Sequence, residues 1–371
     1  MSSSAQVFND MKIAIMSRWN ATCGVSLHAE IIGRKFRELG HDVIVYAPTL
    51  ESADADWHHR HIDVIDEPWV HRVFEETDEC LYPAGGSIRS EELLEDDYDA
   101  FILESVVRFP VNEFKRIASK IKKKAPLILV MHLGYIRDVD PFMEIDWDKI
   151  VVFDSRYVKE ILSIYGRRVE EKTVEVPYPC PIFDDVKPIR LKSLEDVFLF
   201  FTFGRQPVRE YLDYVRALRR LSEKYDFKYL IIRSDRGLPF RDRWIIQRCE
   251  RPEMKMIHRY LRGSDVHLLP KGDTRAVVIS STLAQTIYSG VPIVVPDTRH
   301  FELIPVDENG FGPIVKYRIG DTHDLERKLS TLMEDDDLRR RISKMAREYA
   351  KRYSDDFVAK KFLNLIKSLG V

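Results

Sequence analysis

Two arginines four positions apart, Arg205 and Arg209, follow an apolar run that ends in Phe203-Gly204. A guanidinium forms bidentate hydrogen bonds to phosphate oxygens, so two fixed cations at a strand end suit a diphosphate. If a helix has begun by Arg205, the spacing sets both on one face; the same pair also reads as two solvated surface arginines. A second anion-binding candidate is the hydroxyl cluster Ser280-Ser281-Thr282, placed where a helix must begin. A helix N-terminus offers free N–H groups and a partial positive charge, and ordinary capping by Ser280 or Ser281 is compatible with that use. His132 stands just beyond the apolar run Leu127-Ile128-Leu129-Val130-Met131, where an imidazole can hydrogen-bond a hydroxyl or a developing charge, or serve structure alone. Glu104 ends the run Phe101-Ile102-Leu103 in the same way. Gly24 closes a polar turn after the first apolar run; it either lets backbone amides approach a ligand or supplies a turn with φ > 0.

Other clusters carry less. Trp57-His58-His59-Arg60-His61 has metal-ligating residue types, but adjacent histidines in a polar loop lack the spacing of a closed site, and no metal is expected. The stretch 112–124 sets Lys115, Arg116, Lys120, Lys122, Lys123 and Lys124 around an apolar stripe; it reads as a solvated outer helix, with peripheral contact to an anionic membrane as the alternative. Cys23, Cys80, Cys180 and Cys249 are scattered without CxxC spacing, so neither a disulfide framework nor a zinc knuckle is expected. The 58 basic and 60 acidic residues nearly cancel, which disfavours bulk nucleic-acid binding. Apolar runs stop far short of a membrane span, and the opening residues carry no apolar signal region, so a cytoplasmic protein is expected. Met1-Ser2-Ser3-Ser4 reads as a disordered leader, with Met11 as an alternative start. High charge (32%) with only five asparagines and four glutamines is a thermophile's profile.

These residues need elements to position them, and 371 residues exceed one comfortable core. Apolar runs at 11–17, 41–47, 101–103, 127–131 and 150–153 alternate with helical periodicity over 27–39, 112–124 and 157–165, with Gly40 as a C-cap. Strands alternating with amphipathic helices predict a doubly wound α/β domain. The proline cluster Val176-Pro177-Tyr178-Pro179-Cys180-Pro181 reads as a linker. The pattern then restarts, with strands at 197–203, 229–232, 266–269 and 292–295 and helices at 209–225, 253–262, 281–289, 322–333 and 335–367, the last broken near Ser354. The expected organisation is 11–183 and 184–371, two α/β domains facing across a cleft hinged at 177–188. In open α/β sheets ligands bind beyond the carboxyl ends of the strands, which is where the candidates above fall.

Taken in order, these residues resemble the GT-B glycosyltransferases of family 4, also called group 1. Cys23-Gly24-Val25 through Gly40-His41-Asp42-Val43 looks like that family's opening, and Val130-Met131-His132 like the strand that delivers its active-site histidine. Ser155-Arg156-Tyr157-Val158-Lys159 and Val176-Pro177-Tyr178 resemble its segments before the hinge. Phe203-Gly204-Arg205 resembles the start of its nucleotide-binding half, and Arg209 falls near its diphosphate-binding lysine. Asp265 to Pro270, Ser289-Gly290-Val291-Pro292-Ile293-Val294 and Phe301-Glu302-Leu303-Ile304 also fit. The resemblance implies two Rossmann-like domains, an acceptor side and a nucleotide-sugar side, with a last helix at 355–367 returning to the first. It implies retaining, metal-independent hexosyl transfer from a nucleotide-diphosphate sugar to a sugar or lipid-linked acceptor, with no cofactor beyond that donor. His132, Arg205 and Arg209 take the catalytic positions, and Gly24, Gly204, Asp273, Ser280, Ser281, Thr282 and Gln285 the donor-binding ones. The family's Glu-x7-Glu, however, falls on Val277 and Gln285. The glutamine amide can still bond ribose hydroxyls, whereas valine cannot replace a carboxylate; only a shift of the loop brings Asp273 there. A non-catalytic protein that binds a nucleotide sugar or a partner is therefore the alternative, and a nucleotide-sugar epimerase fits the architecture but not the order of motifs.

Overall fold

A computed structural model describes residues 10–53 and 65–371, so the histidine cluster at 57–61 and the leader lie outside the described residues. The chain divides into two units: 1–179 with 276–281 and 355–371, and 180–275 with 282–354.

Unit 1 is built on β1 (Lys12–Met16), β2 (Asp42–Pro48), β3 (Val70–Glu75), β4 (Ser87–Ile88), β5 (Ala100–Glu104), β6 (Leu127–Val130), β7 (Lys149–Val152) and β8 (Thr173–Glu175). The sheet order is β4-β3-β2-β1-β5-β6-β7-β8, parallel except for the β3–β4 pair. Ile13 pairs with Val43 on one side and Ala100 on the other, so the central strands are covered on both faces and are continuously apolar. The helices are α1 (Gly24–Glu38), α2 (Leu50–Ala53), α3 (Ser90–Glu95), α4 (Val111–Lys124), α5 (Ile136–Met143) and α6 (Arg167–Lys172). The expected helix over 157–165 is instead a π turn (Tyr157–Ile161) followed by a 3₁₀ turn (Leu162–Tyr165), and the Leu162 N–H reaches both Tyr157 O and Val158 O. On α4 the stripe Val111, Phe114, Ile117 and Ile121 is buried, and sinking Phe114 alone stabilises by roughly 2–3 kcal/mol. Its outer cations serve the unit itself: Lys115 pairs with Glu144 (2.7 Å), and Lys122 with Asp146 (2.7 Å) and Asp148 (3.0 Å). These pairs favour the outer-helix reading over a membrane-facing one.

The last helix of the chain, numbered α12 below (Asp355–Lys367), packs on α1: Phe362 meets Phe36 at 6.4 Å and His28 at 5.9 Å between ring centroids, and Asp355 lies 3.4 Å from Lys35. Residues 276–281 also belong here. Val277 N–H donates to Gly134 O (3.1 Å), and Arg156 donates to Val278 O (3.0 Å).

Unit 2 carries β9 (Phe198–Phe203), β10 (Phe227–Arg233), β11 (Ile245–Cys249), β12 (Val266–Leu268), β13 (Ile293–Pro296) and β14 (Val315–Tyr317), all parallel, in the order β11-β10-β9-β12-β13-β14. Its helices are α7 (Leu212–Leu221), α8 (Met254–Arg262), α9 (Ser281–Thr286, whose first residue groups with unit 1), α10 (Thr322–Glu334) and α11 (Asp336–Arg352). Tyr211, Tyr214, Leu218, Phe227 and Tyr229 form one core cluster with Leu325 and Leu329 of α10. A 3₁₀ turn at Val208–Tyr211 precedes α7, so no helix has begun at Arg205 and the one-face argument for Arg205 and Arg209 does not hold.

Candidate functional site

In each sheet the strand order reverses once, and that reversal is where an open parallel sheet leaves a crevice beyond its carboxyl ends. In unit 1 it lies between β1 and β5, and in unit 2 between β9 and β12.

The crevice end of unit 1 holds a buried relay. Glu104, the last residue of β5, is fully buried. One of its oxygens lies 2.8 Å from His28 Nδ1, and the other 2.5 Å from His132 Nε2. Burial pushes the Glu104 carboxyl up, but the two imidazoles outweigh it and hold it at about 2. An ionised carboxylate only accepts, so His28 Nδ1 and His132 Nε2 carry the protons. Burial also pushes His132 below the ordinary imidazole value, against the pull of Glu104, so at neutral pH the ring is neutral. Its Nδ1 is then a bare acceptor on a side chain 10% exposed. His28 has no such exposure; its Nε2 is buried without a partner, amid Phe153, Tyr178 and Phe362.

Among the described residues, His28, Glu104 and His132 are the group whose composition could hold a metal. Their N–O separations of 2.8 and 2.5 Å are hydrogen-bond lengths, shorter than the roughly 3.3 Å edge of a tetrahedron with ~2.05 Å bonds. The geometry is that of a proton-sharing relay.

A second buried network follows strand ends of the same sheet, and no local pattern signals it because its members follow three different strands. Arg18, after β1, grips both oxygens of Glu76, after β3, with Nη2 at 2.9 Å. Arg108, after β5, adds a contact at 3.4 Å. The turn between β1 and α1 is tied down by Glu30, which accepts from Asn20 N–H (3.0 Å) and the Ser26 hydroxyl (2.7 Å). The left-handed residue of that turn is Asn20 (φ 53), not Gly24. Gly24 packs closely against Ser281 instead: a Cβ there would stand 3.0 Å from Ser281 Oγ. The Gly24 carbonyl accepts from the Tyr178 hydroxyl (2.8 Å).

In unit 2, Gly204 has φ 113, a conformation open essentially to glycine alone, and it turns the chain out of β9. Arg205 is half-buried and Arg209 exposed. The turn is braced by Arg233, which donates to Gln206 O (2.8 Å) while paired with Asp235 (2.7 Å). Asp273 is exposed and accepts from Thr274 N–H (2.9 Å). Ser280 is buried, whereas Ser281 and Thr282 are half-buried at the start of α9. Gln285 is 3% exposed, and its carbonyl accepts from His258 Nε2 (2.7 Å). Val277 is 1% exposed. Behind β12, His267 is wholly buried with neither ring nitrogen partnered, and burial lowers His267 to about 3 and His258 to about 4.

No family model matches the chain. Solved structures do match over nearly its whole length. HepE from Anabaena, in complex with UDP and glucose, aligns with a TM-score of 0.65 at 13% identity, covering 96% of this chain and 100% of that one. Sucrose-phosphate synthase from Thermosynechococcus elongatus aligns at 0.64 and 12% identity, covering 97% and 99%. A trehalose-6-phosphate structure from E. coli bound with UDP-2-fluoro glucose aligns at 0.63 and 12% identity, covering 96% and 99%. At such identities the likeness establishes the fold: two parallel-sheet α/β domains as in GT-B glycosyltransferases.

Proposed function

We propose that the protein is a glycosyltransferase that uses a nucleotide-diphosphate sugar as donor. The observation that carries this reading is the His28–Glu104–His132 relay, which presents a neutral imidazole acceptor, His132 Nδ1, at the carboxyl edge of a sheet whose fold matches proteins solved with UDP, glucose and UDP-2-fluoro glucose. His132 accepts a hydrogen bond from a hydroxyl of the donor sugar. Arg205 and Arg209 bind the diphosphate, aided by the amides at Ser280, Ser281 and Thr282, and stabilise the negative charge that grows as the glycosidic bond breaks. Charge fixed in place before the reaction is usually the largest catalytic contribution. We take the transfer to be hexosyl, retaining and metal-independent, in the manner of family 4, with a sugar or lipid-linked acceptor entering beside Gly24. We place the protein in the cytoplasm, and no described helix is long and apolar enough to cross a membrane.

The non-catalytic reading rests on Val277 and Gln285, and the nucleotide-sugar complexes of the matching structures do not favour it. The test is a panel of radiolabelled UDP-, GDP- and ADP-glucose, scored for sugar release with and without acceptor sugars. Release or transfer by wild type, lost in His132→Ala, is the expected result. Nucleotide-sugar binding with neither release nor transfer would return the protein to the binding class.

A further inference from the structure

Resting on that reading, we propose that Lys271 is a third cation of the diphosphate site, gripping the donor's phosphate oxygens from the β12 side while Arg205 and Arg209 do so from the β9 side. The strand order of unit 2 reverses between β9 and β12, so the chain leaving those two strands flanks the crevice. Beyond β9 stand Gly204 and Arg205; beyond β12 stand Leu269, Pro270 and Lys271. Leu269 and Pro270 are buried, and Lys271 is half-buried behind them. Among the described residues Lys271 makes no hydrogen bond or ion pair, and Glu210 is the carboxylate that acts on it from a distance. Withdrawing an ammonium from water without a contacting partner is costly, so the site is stabilised once an anion arrives. Burial lowers the Lys271 pKa against the pull of Glu210, the direction expected of a cation that lacks its counter-ion.

Glu210 holds the arrangement open. Its carboxylate lies against the β12 loop, so that a Cβ on Gly272 would come within 2.7 Å of its Oε1. It therefore keeps a compensating charge near Lys271 without closing on it, and the ammonium stays available to a ligand. A diphosphate, with charge on both phosphoryl groups, is the chemical class that answers three cations carried by the segments that follow two adjacent strands; a bare nucleoside is not.

The experiment is titration calorimetry of the full-length protein with inorganic pyrophosphate, UDP, GDP, ADP and the parent nucleosides, on wild type, Lys271→Met and Lys271→Arg. The expected result is a roughly 10- to 100-fold weaker affinity for pyrophosphate and for the preferred nucleoside diphosphate in Lys271→Met, as for one charge-assisted bond lost. Substantial recovery in Lys271→Arg and unchanged nucleoside affinity belong to the same expectation. As a readout that does not depend on the folding of Lys271→Met, wild type is also acetylated with acetic anhydride and read by mass spectrometry; pyrophosphate should protect Lys271, and nucleoside should not. Equal affinity in wild type and Lys271→Met, or labelling indifferent to pyrophosphate in a protein that binds it, overturns the role of Lys271 alone. Wild type that binds neither pyrophosphate nor any nucleoside diphosphate overturns the glycosyltransferase reading, and this inference with it.

Discussion

Acidification from pH 7.5 to 5.0 should weaken unit 2 through two histidines that take no part in the proposed chemistry. His267 and His258 are fully buried, with folded pKa values of about 3 and 4 against 6.5 in the unfolded chain. A depressed histidine pKa means that the unfolded chain binds the proton first, so the stability present above pH 6.5 is lost as pH falls. Each group contributes about 1.4 kcal/mol per pH unit over that window, hence about 2 kcal/mol at pH 5.0 and about 4 for the pair. Glu104 does not interfere, because its own loss begins only below its unfolded value of 4.5. His267→Leu removes one of the two titrations along with two unpartnered nitrogens. Urea or thermal unfolding of both proteins should show the variant losing about 2 kcal/mol less than wild type between the two pH values, or ~4–8 °C less in Tm for a unit of this size. Native-state hydrogen exchange at β12 assigns the change to unit 2, since two units need not unfold together. Parallel losses in wild type and variant would refute the reasoning.

Glu104→Gln leaves the shape of the relay but removes its charge; transfer should fall at least ~10-fold and the acid limb of its pH profile should move, whereas a purely structural role would leave that limb in place. Arg205→Ala should lower transfer by ~100-fold or more, measured with saturating donor, and wild-type-like turnover would remove its diphosphate role. Gly134→Ala would set a Cβ 2.0 Å from Val277 O, so urea denaturation should report a loss of about 1–3 kcal/mol; an unchanged midpoint would mean that residues 276–281 do not lie as described.

The strands legible in the sequence were those covered on both faces, such as β1, β6, β9 and β13, because double burial leaves an uninterrupted apolar run. Edge strands escaped. β11, Ile245-Ile246-Gln247-Arg248-Cys249, pairs on one side only and keeps polar residues, so it carries no run to find. β14 escaped because Lys316 interrupts three buried positions. At the candidate site, His132 and Glu104 were legible from their place after strands. Their bond and the part of His28 were not, since His28 sits 76 positions before Glu104 on a helix whose periodicity marks only its apolar neighbours. Lys271 carried no signal in the sequence, because its isolation depends on the position of Glu210 and has no local signature.

α12 and the segment at 276–281 belong to unit 1, although the whole of unit 2 precedes α12 in the chain. The unit translated first therefore cannot cover Phe36 and His28 with α12 until the whole of unit 2 has been made. Truncation just before Asp355 should therefore damage the amino-terminal unit, while unit 2 keeps its own sheet and core.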